Sequence, residues 1–529
     1  MGRMTRSGRA LLASAFMMAC AATAQAQTPG NRILKVGVQS DLKVLDPIVT
    51  TSRVTGMFAS SVYETLFAYD EDGVPQPQMV GDTKISDDKL TYEFKLRPDQ
   101  RWHSGGPVTA ADAVASLKRW MSFDPVGRML NDFTKSLEAV DQDTFRLVLK
   151  EPYGLVLQSL AKPSPGSPFI MPERLAKTPI SQPITEVDGS GPYIFKQDEW
   201  RPGNRVVFVK SPAYVPRKEP PSGLAGAHVV NFDRMEWLYI PDNNTGLSAL
   251  QVGEIDYLDE VPFDFLPIIK SNKDTRLVSL YNGTLGFIRP NFTQPPFDKP
   301  LARQALYYLV DQPEFMNAAV GDADFYMKFC GSYFICGSEN GTEAGSENFR
   351  GKDIAKAKKM LADSGYKGEP VVVLLATDRP LYAAWTQVMI QNLRDAGVNV
   401  DVKPSEWGAL MSRWARKDPP EKGGWNLNIG AQPPGGTDPI KNPFFNPACD
   451  KAVLGWPCDE KLLKMIDAWS RETDDERRKA MIADINRQAY QSVPYVILGQ
   501  YQQPVAVRAN LTGVLKTGGT TAFWNMVKK

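Results

Sequence analysis

Histidine is nearly absent from this 529-residue sequence, which contains only His103 and His228. That scarcity leaves little room for a His-rich metal site or a catalytic centre built on several imidazoles. Neither charge sign dominates: 61 Lys+Arg face 60 Asp+Glu. The balance excludes a strongly basic nucleic-acid binder, and a hydrophobic share of 43% excludes a highly charged disordered chain. The chain has no GxGxxG after a strand, no GxxxxGK[ST] loop and no HExxH. Gly189-Ser190-Gly191-Pro192 lacks the spacing of a GxSxG nucleophile elbow and reads as a turn into a strand at 193–195. Tyr69-Asp70-Glu71-Asp72-Gly73 starts like a calcium loop, but no downstream ligand ladder follows, so a surface turn is expected. No cofactor and no metal site are expected. After residue 26 no apolar run approaches the ~20 residues that span a bilayer, so the mature chain is not expected to insert into a membrane.

What is present begins with a processing signal. Arg3, Arg6 and Arg9 form a cationic start, 10–24 is apolar, and Ala24-Gln25-Ala26 is a small-residue cleavage box. Cleavage after Ala26 is expected, leaving Gln27 first. Met17-Met18-Ala19-Cys20 offers an alternative, a loose lipoprotein box with lipid on Cys20, although the usual Leu three residues earlier is missing. Removal of the signal takes away three positive charges, leaving 58 Lys+Arg against 60 Asp+Glu. It also leaves four cysteines, Cys330, Cys336, Cys449 and Cys458, in two close pairs. An even count in an exported chain reads as the local disulfides Cys330–Cys336 and Cys449–Cys458. Each would add roughly 2–3 kcal/mol by loop entropy. Free buried thiols, or zinc held by all four, remain alternatives, though neither pair has CxxC spacing.

Length alone suggests about three domains at ~150 residues each. Strand alternation appears at 34–38, 90–96 (LTYEFKL), 145–149 and 205–210, between helical periodicities at 54–66 and 113–120, so the first half reads as α+β. Thr109-Ala110-Ala111-Asp112 resembles a capping box. The second half carries a β-run at 371–376, a helix over 381–395, Gly397 as its stop and a strand through Val398, Val400 and Val402. Such a unit predicts parallel strands with a right-handed crossover, hence α/β. Two late helices are expected at about 459–470 and 475–492.

Arg379 falls just past the carboxyl end of the 371–376 strand, the edge where open α/β sheets bind ligands. Its guanidinium offers a rigid fork for a carboxylate or phosphate; pairing with Asp378 is the bland reading. Five of the eleven tryptophans, Trp385, Trp407, Trp414, Trp425 and Trp456, lie within 385–456. Core packing should take two or three of them, and an aromatic-lined cleft the rest.

Several blocks then occur in order: Ser86-Asp87-Asp88-Lys89-Leu90-Thr91-Tyr92-Glu93-Phe94 running on to Trp102-His103 and Pro107-Val108-Thr109-Ala110-Ala111-Asp112; Gly191-Pro192-Tyr193; 249–256 (ALQVGEID); Pro296-Phe297-Asp298; and Arg303-Gln304-Ala305-Leu306. With these blocks the chain resembles the family 5 solute-binding proteins of bacterial ABC importers, the peptide and nickel binders, over essentially all of 33–529. The resemblance implies a two-lobed periplasmic-binding-protein fold of type II character around a hinged cleft. One lobe would take 33–283 plus 497–529 with an inserted subdomain at about 50–185; the other would take 284–496. It also implies a periplasmic, non-enzymatic monomer that closes on a small solute or short peptide and serves an ABC permease and ATPase.

Arg379-Pro380-Leu381-Tyr382 is similar to the family segment whose Arg grips a peptide carboxylate, with Tyr382, Trp407 and Trp425 as cleft walls. Leu45, at the end of the loop before Asp46-Pro47, would be a wall from the first lobe. The loop that holds a peptide ammonium in dipeptide-binding relatives corresponds to 430–439, ending in Asp438-Pro439. Here the family Asp is replaced by Gly435, which points towards a carboxylate-bearing solute other than a simple dipeptide, such as an opine-like conjugate. Few histidines argue against a His-assisted nickel site. A secreted hydrolase using His103 or His228, and a binding protein that serves no permease, are the rival classes.

Overall fold

The computed structural model describes residues 32–281, 283–432 and 435–529. The cleavage box ending at Ala26 and the alternative lipid site at Cys20 lie outside them. Two sheets organise two lobes. The first has seven strands in the order Tyr193–Phe195, Arg205–Lys210, Arg234–Tyr239, Ile33–Val38, Tyr257–Leu258, Pro504–Arg508 and Thr275–Ser279. Ile33–Val38 runs parallel to both neighbours, and the remaining pairs are antiparallel. The second has five strands in the order Val400–Ser405, Val371–Ala376, Leu427–Ala431, Thr284–Pro290 and Val496–Tyr501. The expected strand–helix–strand unit is there, with Val371–Ala376 and Val400–Ser405 parallel and the helix Pro380–Asp395 between them. Helices cover the five-stranded sheet, so the continuous apolar run VVVLLA is buried rather than alternating.

The chain crosses between the sheets after Ser279 and again at 502–503. These crossings run side by side, because Ser279 pairs with Pro504 on one side and Thr284 with Tyr501 on the other. Two adjacent strands joining two packed bodies make a natural hinge, since each body keeps its own core when the pair bends.

A separate four-stranded antiparallel sheet, Val80–Ile85, Thr91–Leu96, Thr144–Leu149 and Thr134–Ala139, packs against the helix Ala110–Phe123. The helix Ala110–Phe123 opens with the capping box read from sequence: Thr109 accepts from the Asp112 N–H while Asp112 accepts from the Thr109 N–H. The turn at Gly189-Ser190-Gly191 presses on the end of the helix Arg53–Val62. A Cβ at residue 189 would lie 2.0 Å from the Val62 carbonyl oxygen, so only glycine fits. His103 braces the same turn through Nε2 and the Gly191 carbonyl at 2.9 Å. Both disulfides form as local pairs, Cys330–Cys336 and Cys449–Cys458.

A buried arginine in each lobe ties separate segments together. Asp46 and Arg119 pair at 2.6 Å with almost no exposure, and Asp46 also accepts from the Ile48 and Ile184 N–H groups. This clamp draws the 41–48 loop inward. Leu45, expected as a cleft wall, is a core residue at 6% exposure. In the second lobe Arg289 is fully buried, donating to the carbonyls of Pro494 (2.7 Å) and Phe444 (2.6 Å) among the rings of Phe287, Phe444 and Tyr495. Burial pulls its pKa down to about 9, so it remains charged at neutral pH.

Candidate ligand-binding cleft

Between the lobes lies a cavity with about 1020 Å³ of empty space, part of it open to solvent. Its walls come from distant parts of the chain: Tyr69 and Gln158 beside the four-stranded sheet, Tyr281 at the first crossing, 335–340, 435–441 and 516–518. The 70–73 turn forms part of this lining. It is a turn, as expected: Asp70 accepts from the Asp72 and Val74 N–H groups, and Gly73 has φ 81°. It is not merely surface, however, because the short strands Phe67–Tyr69 and Pro75–Pro77 carry it to the cleft. The wall at 335–340 begins inside the loop closed by Cys330–Cys336, whose N–H groups donate to Gln312 and Gln500 of the second lobe.

On the cavity wall the lobes touch through three side chains. Asp438 pairs with Lys441 at 3.1 Å, and the Lys441 ammonium donates to the Tyr69 hydroxyl while lying 4.5 Å from that ring's centre. Burial works against the charge on Lys441, but the Tyr69 oxygen and the Asp438 carboxylate outweigh it and hold the ammonium above the usual lysine range. Burial likewise raises the Tyr69 phenol. The Asp438 carboxylate also accepts from the Ile440 and Lys441 N–H groups, which shapes the turn after Pro439. Asp438 and Gly435 both line the cavity. Gly435 has φ 90°, and a Cβ there would meet only Pro163 Cγ at 4.0 Å, so this position leaves space rather than filling it.

Arg379 and its neighbours form a separate rim. Strands Val371–Ala376 and Val400–Ser405 end side by side, and Asp378 accepts from the Trp407 N–H at 2.7 Å. That engagement caps the helix Trp407–Trp414, while the exposed Arg379 guanidinium lies 5.8 Å from the Trp407 ring. Tyr382 packs between Trp407 (5.3 Å) and Trp385 (6.0 Å), and Trp385 meets Tyr501 at 5.5 Å. Facing this rim from the first lobe is Glu260, which also pairs with Arg53 at 3.5 Å. Its side chain is half exposed, and partial desolvation between the lobes raises its carboxyl against the pull of Arg53 and, more weakly, Arg379. Tyr281 lines the cavity and is influenced by Arg53 and Glu260, so the rim and the cavity share one interlobe face.

Trp425 does not belong to this face. It is fully buried, donates from Nε1 to the Trp414 carbonyl at 2.9 Å and packs on Trp414 and Trp456. Four of the five clustered tryptophans are thus core, and only Trp407 is partly exposed. Sequence reasoning missed Tyr69, Gln158, Trp469 and Arg478, all of which line the cavity. The one local signal was the spacing of Asp438 and Lys441 across a Pro-initiated turn.

The histidines serve structure. His228 lies between the Glu64 carboxylate (3.1 Å) and the Leu224 carbonyl (2.9 Å) and stacks on Trp524 at 3.9 Å. Ser104, next to His103, donates to Asp188 at 2.7 Å.

A hinged, two-lobed body around a mixed polar and aromatic cavity is the architecture of a solute-capturing protein. Residues 74–446 match the model of bacterial extracellular solute-binding proteins, family 5, and the chain belongs to that family. It is 36% identical over 514 residues, 96% of this chain and 95% of the relative, to a probable peptide ABC transporter periplasmic-binding protein, y4tO, of Sinorhizobium fredii (strain NBRC 101917 / NGR234). In fold it is similar to the periplasmic binding protein AgaA of A. tumefaciens R10 solved with agropinic acid (TM-score 0.73, 21% identity, covering 94% of this chain and 99% of that one). It is likewise similar to a dipeptide-binding protein of Pseudoalteromonas sp. SM9913 solved with Met-Leu (TM-score 0.73, 19% identity, covering 94% and 100%). No helix among the described residues is long and apolar enough to cross a membrane.

Proposed function

We propose that this chain captures short peptides, or related amino-acid-derived solutes, in the periplasm and delivers them to an ABC permease. In this reading it is exported by cleavage after Ala26 and acts as a non-enzymatic monomer. The first lobe comprises 33–283 plus 497–529 and the second 284–496, and they close about the paired crossings. The observation that carries the reading is the interlobe cavity, walled by residues of both lobes beside the paired crossings. Arg379 serves as the anion clamp at its rim, with Tyr382 and Trp407 beside the solute's apolar parts.

An opine-like or other carboxylate-bearing conjugate is the second reading. Gly435 favours it, because the 430–439 loop offers the cavity empty space at that position rather than a carboxylate for a free ammonium. Mass spectrometry of what co-purifies from the periplasm, followed by titration calorimetry, separates the two. Peptides with free amines support the first reading, blocked or conjugated acids the second, and a bound solute lacking any carboxylate removes both.

A further inference from the structure

Away from the hinge, the lobes meet where the helix Glu460–Arg471 ends. Carbonyl groups in a helix's last turn have no partner within it and need donors from elsewhere. Here the donors come from two directions. Gly154, in the loop after the strand Thr144–Leu149, gives its N–H to the Ser470 carbonyl at 2.8 Å. Arg478, on the helix Asp475–Ser492, donates to the Glu472 carbonyl at 3.2 Å and reaches across to the Gly154 carbonyl at 2.8 Å. A guanidinium at a helix carboxyl end is also favoured by the helix dipole. Beside this contact Arg471 pairs with Glu151 at 2.5 Å and lies 4.9 Å from the Phe133 ring.

The fit leaves no room for a side chain. A Cβ on Gly154 would lie 1.8 Å from the Glu472 carbonyl oxygen and 2.9 Å from Arg478 Nη1. Gly154 does not have a positive φ, so its own backbone conformation does not demand glycine. What demands it is the opposite lobe. Leu155, Trp469 and Arg478 line the cavity, so this contact seals one edge of the space assigned to the solute.

We propose that Gly154 and Arg478 are positioning residues that act as a catch. The backbone of Gly154 docks on the carboxyl end of the Glu460–Arg471 helix, and this docking sets how much of the protein is closed and so how tightly the solute is held. The proposal rests on reading the interlobe cavity as the solute site. Apparent affinity scales with the population of the binding-competent state, so breaking the catch weakens binding without touching the solute.

The test is Gly154→Ala in the mature chain, with spin labels on Lys150→Cys and Lys479→Cys reporting the separation of the lobes. A mixture of alanyl tripeptides serves as the solute probe. The catch predicts that Gly154→Ala loses the short-distance population both with and without peptide. It also predicts affinity falling ~10-fold or more, with unfolding still cooperative and its midpoint lowered only slightly, since each lobe keeps its own core when the contact opens. An unchanged distance distribution overturns the proposal, as does a loss of cooperative unfolding that accompanies the loss of binding. Failure of the unsubstituted protein to bind the peptides would count against the peptide reading alone; the distance measurement still decides on the catch.

Discussion

Both ends of the interlobe face present a cation, and their settings are opposite. Lys441 is buried, neutralised by Asp438 and capped by Tyr69 of the other lobe. Arg379 is exposed at a strand edge, stacked on Trp407 with its fork free of the nearby Asp378, which is engaged by a backbone N–H. A cation whose charge is already met inside the protein holds structure together. One left open to solvent beside aromatic walls is available to an incoming anion. Charge and proximity to the cavity do not distinguish these two; the state of their partners does.

The comparison can be broken most forcefully at the buried end. Lys441→Met leaves Asp438 with its charge buried and unpaired, and should cost about 3–5 kcal/mol of unfolding free energy in urea. Stability retained, with solute affinity lost instead, would make Lys441 a ligand contact and erase the contrast. Next in size, Arg379→Ala should weaken binding of a carboxylate-bearing solute ~10-fold or more, about 1.4 kcal/mol. Its unfolding free energy should stay within ~0.5 kcal/mol of the parent's. Calorimetry giving equal affinities would remove Arg379 from the site.

Trp407→Ala should produce a smaller loss. It removes one aromatic wall and a partly exposed cation–π contact of ~0.5–1 kcal/mol, and intrinsic fluorescence titration can follow it. The smallest effect concerns pH. Glu260 has a raised pKa, so on acidification it loses its charge earlier than an ordinary carboxylate. The anion that competes for Arg379 then disappears, and affinity for a carboxylate solute should rise modestly. Glu260→Gln should bind more tightly at pH 7 and flatten that dependence; an unaltered pH profile would show that Glu260 does not oppose the ligand.

Much of the fold was legible because its signals are local. The run VVVLLA, the Thr109–Asp112 box and the helices near 460 and 475 each declare themselves within a dozen residues. So does the disulfide pairing, since neighbouring cysteines close short loops. Legibility failed where burial depends on what lies across the molecule. Leu45 and Trp425 have the composition of cleft walls, yet the Asp46–Arg119 clamp turns the first inward, and packing against Trp414 and Trp456 the second. The turn at 70–73 reads correctly as a turn, but nothing near it in sequence says that it borders a cavity.

The sequence by itself determined the elements, their caps, the paired cysteines and the family blocks that announce two lobes. The elements, caps and cysteine pairs rest on periodicity or spacing within a short window, whereas the two lobes are implied by the resemblance of those ordered blocks to a family. Only the tertiary structure decided which residues meet across the cleft. Tyr69 and Lys441 stand 372 positions apart, and Gly154 and Arg478 stand 324 apart. Those contacts exist because two adjacent crossings hold two separately packed bodies face to face, and no local pattern records where a surface will meet its opposite.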